Sequence, residues 1–352
     1  MKLALVLTLT LLAPVPTTTS AWQDTPVPLS KGDINAVATA GPDAWATGYQ
    51  LTSLRTLESV LLRWDGKAWQ RTSPLPAQAL PKAIAVNGPS DIWLVGRTED
   101  LHAEALETVH WNGTSWSSHS LAVNPVSGPP DVMGGVMPEA VAAHSGKAWV
   151  AGRAWRNTIS TGVPAIQSWD GTKWQHAVLP EVGPGELVSL TALSPNDVWA
   201  AGVAYSNPQT PLLFHFDGVT WRRVEVPGQH TWLSGVTAFA ANDVWVVGGK
   251  SGERGDQPFA SHWDGRKWTV SRTPRIGDGR LKSVARTADG RVWAVGGKGD
   301  VSVALQWHAP LRTWVRVQAP NVVVRGAVAG GNALWTAGIS RTGDLVPAIA
   351  RR

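Results

Sequence analysis

The sequence predicts an all-β fold, a seven-bladed β-propeller of four-stranded antiparallel blades, from three observations. A Trp followed three residues later by Gly recurs seven times at regular spacing. A second motif, an aromatic residue followed by Asp or Asn, Gly, two further residues and Trp, recurs between copies of the first. The chain of 352 residues contains 21 Trp but only 2 Tyr and 4 Phe. Four short strands every ~40–50 residues are typical of propeller blades.

The Trp-x-x-Gly motif is predicted to lie on the second strand of each blade. Its copies are Trp45-Gly48, Trp93-Gly96, Trp149-Gly152, Trp199-Gly202, Trp245-Gly248, Trp293-Gly296 and Trp335-Gly338. A turn and, before it, a run of small residues precede most copies, which predicts a hairpin of the first two strands. Because the innermost strands converge on the axis, the first strand should carry small residues. The positions that fit are Ala36, Ala83, Ser189, Gly235, Ser283 and Gly326.

The second motif predicts the hairpin between the third and fourth strands, because Asp-Gly and Asn-Gly favour tight turns with positive φ. The first copy runs from Trp64 through Asp65-Gly66 to Trp69. From Trp69 to Trp314 the Trp residues that open the fourth strand are spaced by 47, 58, 47, 47 and 46 residues. Nineteen of the 21 Trp residues occupy repeat positions. We therefore expect them to fill the wedges between blades.

The two chain ends are predicted to share one blade. Residues 347–352 resemble a third strand, and no fourth strand follows them. Residues 22–28 resemble the fourth strands of other units, and Trp22 lies 47 residues before Trp69. Pairing of the two segments would close the ring and remove an open sheet edge.

Residues 1–21 have the layout of a secretory signal peptide. Lys2 precedes an apolar run over residues 3–13, and Thr19 and Ala21 are the small residues before a cleavage site. The apolar run is shorter than the ~20 residues of a membrane-spanning helix, and no later run is long enough. We expect cleavage near Ala21, secretion, and a single propeller domain over residues 22–352. A buried or disordered N-terminus is the alternative.

Composition excludes several classes of function. The net charge is +5 and no run of Lys and Arg exceeds two residues, whereas nucleic-acid binding needs a concentrated basic surface. The absence of Cys excludes disulfides, thiolate metal sites and a Cys nucleophile. We expect no cofactor, no bound metal and a monomer.

The repeat resembles kelch-like propeller repeats of secreted bacterial proteins, in which a Gly doublet ends the second strand, an aromatic residue ends the third and Trp opens the fourth. The resemblance covers residues 22–352. Only Gly248-Gly249 and Gly296-Gly297 keep the doublet, and Trp or Phe replaces the usual Tyr. The resemblance implies a binding module or an oxidase. The copper-radical oxidases of this type need a Cys crosslinked to Tyr, which this chain lacks.

Candidate binding residues lie beside the variable loops, which join the second to the third strand and the fourth strand to the next blade. Both kinds of loop should emerge on one face of the propeller, where function concentrates. The candidates are Trp155, Trp232, Tyr49, Tyr205, Arg97, His102, Arg156 and Arg254. Packing is the alternative role for the two Trp residues. His110, His215 and His262 recur at one repeat position, which favours hydrogen bonding or packing over metal binding.

These observations predict an exported, non-catalytic binding or scaffolding propeller that recognises a glycan, peptide or protein through its variable-loop face. The alternative is an extracellular lyase or hydrolase with its active site at the same mouth. The sequence contains no His-Glu-x-x-His, no Gly-x-Ser-x-Gly and no phosphate-binding loop. Two or more acids or histidines within hydrogen-bonding reach at the mouth would favour the enzyme.

Overall fold

The computed structural model describes residues 21–53, 56–72, 74–76, 79–98, 107–122, 136–156, 159–341 and 345–352. These residues form seven four-stranded antiparallel sheets, as predicted. In chain order the strands are β1 Gln23–Thr25, β2 Gly32–Ala40, β3 Asp43–Leu51, β4 Leu57–Trp64, β5 Trp69–Arg71, β6 Ala79–Val86, β7 Ile92–Thr98, β8 Glu107–Trp111, β9 Trp116–Ser120, β10 Val136–His144, β11 Lys147–Arg156, β12 Ile159–Trp169, β13 Trp174–His176, β14 Gly185–Ser194, β15 Asp197–Ala204, β16 Thr210–Phe216, β17 Trp221–Arg223, β18 Thr231–Ala240, β19 Asp243–Lys250, β20 Gln257–Trp263, β21 Trp268–Val270, β22 Leu281–Arg286, β23 Val292–Lys298, β24 Val301–His308, β25 Thr313–Val317, β26 Val322–Gly330, β27 Ala333–Ser340 and β28 Pro347–Arg351.

The sheets are arranged as a closed ring of seven blades. Blade 1 is β2–β5, and each following group of four strands forms the next blade up to blade 6, β22–β25. The first strands of neighbouring blades contact one another in one cycle, from β2 through β6, β10, β14, β18, β22 and β26 back to β2. These strands are therefore the innermost ones. No helix in the described ranges could cross a membrane.

Blade 7 is built from both ends of the chain, with the strand order β26-β27-β28-β1. Gln23 pairs with Arg351, and Thr25 pairs with Ile349. The Thr25 hydroxyl donates to the Ile349 carbonyl oxygen at 2.8 Å, and the Trp22 indole N–H donates to the Gln318 carbonyl oxygen at 2.7 Å. The predicted closure is confirmed.

The core lies between the blades and not in one central mass. Each of the seven clusters of buried apolar side chains found in the described residues combines two neighbouring blades. Between blades 5 and 6, for example, the Trp245 ring centroid lies 5.0 Å from that of Trp307 and 5.3 Å from that of Trp314. The repeated indoles fill the wedges, as the sequence predicted.

The three recurring histidines bind acidic residues of their own blades. His110, His215 and His262 hydrogen-bond to Asp91, Asp197 and Asp243 at 2.8–2.9 Å. Each imidazole also stacks on the Trp of the second strand, at centroid distances of 4.0–4.2 Å. These contacts connect the third strand of each blade to the start of the second strand. They agree with the prediction that the histidines serve hydrogen bonding or packing.

The Asp243–His262 pair gives a pH-dependent prediction. The hydrogen bond from His262 is the main cause that holds the pKa of Asp243 below its usual range, and Arg286 adds to it. A carboxylate whose pKa is lowered by folding stabilises the fold at pH values above its unfolded-state pKa near 3.9. This contribution is lost as the pH falls through its folded-state pKa.

We expect Asp243→Asn to lower the free energy of unfolding by about 1 kcal/mol at pH 6, with the difference from wild type vanishing near pH 2. Urea titrations at both pH values measure it, and a difference independent of pH would contradict the prediction.

Every first strand contains a β-bulge, which explains the glycine of the Trp-x-x-Gly motif. In blade 4 the register shifts between Leu187 and Ser189. The extra residue brings the carbonyl oxygen of Glu186 so near the second strand that a Cβ at Gly202 would lie 1.9 Å from it. In all seven blades the corresponding distance is 1.9–2.2 Å. Only glycine fits opposite the bulge.

Gly202→Ala is therefore expected to lower the free energy of unfolding by about 2 kcal/mol or more, because the strands must separate to admit the methyl group. Gly326→Ala is the matched control, since a Cβ at this glycine of an innermost strand would meet no atom within 4 Å. We expect the control to change the stability by about 0.5 kcal/mol at most. Thermal unfolding of both variants measures the effect, and equal melting temperatures would refute the steric explanation.

Candidate functional site at the channel mouth

The seven bulges place one residue per blade beside the axis of the ring. The residues left unpaired by the register shifts, here named the bulge ring, are Asn35, Lys82, Glu139, Val188, Ser234, Lys282 and Arg325. All of them are polar except Val188 of blade 4. A bulge redirects a side chain out of the regular alternation of a strand and is common beside functional sites. The bulge ring therefore presents polar side chains from every blade but one at this end of the axis.

Several members of the bulge ring contact the following blade. The Asn35 amide donates to the Pro81 carbonyl oxygen at 2.7 Å. Lys82 forms an ion pair with Glu139. Arg325 of blade 7 forms an ion pair with Asp33 of blade 1 at 3.0 Å.

Four blades together line a cavity of about 560 Å³, here named the mouth cavity. Its lining residues are Asp33, Asn35, Tyr49, Leu80, Lys82, Glu139 and Arg325. Both signs of charge are present, and both carboxylates are paired with a cation. The cavity can therefore offer both hydrogen-bond donors and hydrogen-bond acceptors to a ligand.

Two tyrosines predicted from the sequence lie beside acid–arginine pairs. Tyr49 is opposite Asp33 on the neighbouring strand. Burial and the negative charge of Asp33 raise the pKa of Tyr49. Burial also raises the pKa of Asp33, although the positive charge of Arg325 acts in the opposite direction. Tyr205 lies near Glu186, and burial followed by the Glu186 charge raises its pKa. Both phenols are therefore neutral hydrogen-bonding groups.

A second cavity, of about 400 Å³, lies between blades 6 and 7 and is here named the blade 6–7 pocket. Its charged lining residues are Arg280, Lys282, Lys298, Arg325, Arg341 and the single acid Asp300. Because Arg325 lines both cavities, the blade 6–7 pocket adjoins the mouth cavity. Turn residues between the second and third strands contribute to this pocket, so it opens on the predicted variable-loop face.

Of the remaining sequence candidates, the structure describes the side chains of Trp232 and Arg254. Trp232 lies on β18 against its own blade, where a Cβ at Gly249 would be 2.3 Å from the indole, and the Arg280 guanidinium is 6.0 Å from the ring centroid. Arg254 is exposed in the loop between β19 and β20. Arg97, Trp155 and Arg156 lie on β7 and β11, but their side chains are outside the described part of the structure, as is the whole of His102. Of the eight candidates, the structure places Tyr49 in the mouth cavity.

Sequence reasoning missed the bulge ring. Each member stands directly before the small residue of a first strand, as Lys82 stands before Ala83 and Arg325 before Gly326. A polar residue at this place in all but one of the innermost strands is unusual, because these strands pack on both sides. That regularity was the available signal, although the bulge itself depends on the register with the second strand.

Comparisons with known proteins agree with the architecture. No protein-family model and no curated protein matches the chain. A solved structure described as "YCF48 bound to D1 peptide" is similar, with a TM-score of 0.60 and 15% sequence identity, over 96% of this chain and 99% of that one. At this identity the likeness shows the fold alone. The chain is a seven-bladed β-propeller.

Proposed function

We propose that this chain is an exported, non-catalytic propeller that binds a peptide segment of a partner protein at the channel mouth. The observation that carries the proposal is the mouth cavity of about 560 Å³, which is lined by four polar members of the bulge ring, Asn35, Lys82, Glu139 and Arg325. Concave sites with a few convergent polar groups are the usual binding sites of proteins. The signal-peptide pattern of residues 1–21 supports export of residues 22–352 as a single domain, which we propose to act as a monomer.

The chemistry of the mouth favours a peptide over a glycan. Paired charges of both signs line the mouth cavity, as the Lys82–Glu139 and Arg325–Asp33 pairs do. Such a lining complements backbone amides and charged side chains of a peptide. A sugar ring is usually held by an open aromatic face, whereas Gly249 covers one face of Trp232. The similarity in fold to a propeller described with a bound peptide also supports a peptide ligand.

The described acids do not favour a lyase or hydrolase. Asp33, Glu139 and Glu186 each form an ion pair with a cation of a neighbouring blade. A general acid or base must lie within hydrogen-bonding reach of the proton that it transfers, and in each of these three residues a cation already occupies one carboxylate oxygen. In the parts of the chain that the structure covers, no group of three or more acids and histidines could hold a catalytic metal ion.

A binding screen on the chain that begins at Ala21 tests the proposal, with a peptide array and a glycan array measured side by side. We expect peptides and not glycans to bind. Lys82→Gln combined with Glu139→Gln removes the ion pair at similar volume and should weaken binding at least about tenfold. Arg222→Gln, on the outermost strand of blade 4, is the control and should bind as wild type. Binding to glycans alone, binding to neither array, or equal affinity of the double variant would each refute the proposal, and cleavage of the bound peptide would favour the hydrolase.

A further inference from the structure

The blade 6–7 pocket contains more positive charge than the chain itself compensates. Five of its six charged lining residues are Lys or Arg. Lys298 is paired with Asp256 and Asp278 at 3.1 and 3.0 Å, and Arg325 is paired with Asp33. Among the described residues, no carboxylate lies within 4 Å of the charged groups of Arg280, Lys282 or Arg341. These three cations therefore form no direct ion pair within the described chain, and the acids near them are Asp300 in the pocket lining and, at longer range, Asp33 and Asp278.

Lys282 is the central member of this group. Its ammonium donates a hydrogen bond to the Val324 carbonyl oxygen of blade 7 at 2.7 Å, which holds the side chain across the boundary between the two blades. Burial is the main cause that lowers the pKa of Lys282 to about 8. The nearby Arg325 and Arg280 guanidinium groups lower it further, and the more weakly acting Asp33 carboxylate opposes them. A half-buried cation surrounded by like charges is electrostatically unfavourable without an anion.

The equivalent lysine of blade 2 has a directly paired carboxylate, which Lys282 lacks. Lys82 occupies the same bulge position as Lys282, and its ammonium is paired with Glu139 at the bulge of the following blade. In blade 6 the following blade presents Arg325 at that position. The chain thus provides an anion for one of these two lysines and a further cation for the other.

We propose that the blade 6–7 pocket binds a carboxylate group of the partner peptide, either an acidic side chain or the terminal carboxylate. The proposal rests on the proposed peptide-binding function and assigns this pocket as its acid-recognition subsite. Arg280 and Lys282 are the residues that would contact the carboxylate, since charge-assisted hydrogen bonds from Arg and Lys are strong and selective for oxyanions. Because the pocket adjoins the mouth cavity through Arg325, one extended segment can occupy both.

Three synthetic probes test the subsite by fluorescence anisotropy. They are a blocked (Ser-Glu)₃ peptide, a blocked (Ser-Gln)₃ peptide, and (Ser-Gln)₃ with a free terminal carboxylate. We expect at least one carboxylate probe to bind tenfold or more tightly than blocked (Ser-Gln)₃, and the tighter of the two identifies the source of the carboxylate. Lys282→Met and Arg280→Gln should each reduce this preference at least fivefold. Lys173→Met, at an exposed turn of blade 3, is the matched control and should retain it.

The outcomes separate this inference from the proposed function. Equal binding of the three probes, or an unchanged preference in both pocket variants, would overturn the carboxylate subsite while leaving peptide binding intact. Titration with glutarate, a dicarboxylate that lacks a peptide backbone, tests whether the subsite binds carboxylates even if the protein does not bind peptides. If glutarate binds wild type and not Lys282→Met while no peptide binds, the subsite stands and the proposed peptide function fails. Thermal unfolding of each variant shows that it is folded, and Arg280→Gln provides the second test should Lys282→Met unfold.

Discussion

Removal of residues 22–28 is expected to destabilise the whole propeller and not only the blade that they complete. The deletion removes β1, its pairing with β28, and the Trp22 side chain, which packs between blades 6 and 7. It also removes Thr25, whose hydroxyl accepts a hydrogen bond from the buried Trp69 indole of blade 1 at 3.0 Å. At about 1 kcal/mol per hydrogen bond and about 2 kcal/mol per buried apolar side chain, the expected loss is about 5 kcal/mol or more.

Comparison of the chains beginning at Ala21 and at Leu29 measures this effect, and we expect a fall in melting temperature of about 10 °C or more. A circular permutant is the control. It would join Arg352 to Trp22 through a short Asp-Gly turn and open the chain at the turn between Gly66 and Lys67. Because the permutant keeps every strand of blade 7, it should melt close to the chain beginning at Ala21. A truncated chain that melts normally would show that blade 7 is stable with three strands.

The second large effect is expected for Trp245→Ala. Trp245 is 2% exposed and contacts Trp307 and Trp314 of the next blade. Its indole N–H donates to the Asp243 carboxylate at 3.0 Å, and its ring stacks on His262. Truncation leaves a large cavity between blades 5 and 6 and should lower the free energy of unfolding by about 3–5 kcal/mol.

Trp245→Phe separates packing from hydrogen bonding, because it keeps an aromatic ring in the wedge and removes the N–H donor. We expect it to lose about 1–2 kcal/mol, well below the loss in Trp245→Ala. Urea titration of the two variants and wild type gives both values. Similar losses in the two variants would indicate that the hydrogen bond to Asp243, and not the filled wedge, accounts for the stability.

The fold could be predicted from the sequence because its signals are local and repeated. An Asp-Gly pair such as Asp65-Gly66 favours a tight turn whatever surrounds it, and Gly66 has a φ of 101°. Trp22 was assigned to the closing blade because its segment repeats the pattern of Trp69. A repeat architecture uses each local pattern several times, so the copies support one another.

The candidate site was predicted only in part, because it depends on which residues meet around the ring. Tyr49 was predicted from its place beside a variable loop, and it lies on β3 and lines the mouth cavity. Trp232 was selected on the same kind of argument, but its indole lies against Gly249 of its own blade. The position of a residue within a repeat predicts which end of the blade it lies at. The side chains of the neighbouring strands and blades decide which groups it contacts.

By itself the sequence determined the number of blades, the strand order within each blade and the closure by residues 22–28, since short-range turn and packing preferences dictate them. Only the tertiary structure decided the register of each first strand, and hence which residues stand at the bulges beside the axis. It also decided that Lys82 meets an acid while Lys282 meets Arg325. The physical reason is that the charge balance at a bulge depends on the following blade, whose bulge residue lies more than 40 positions away in the chain.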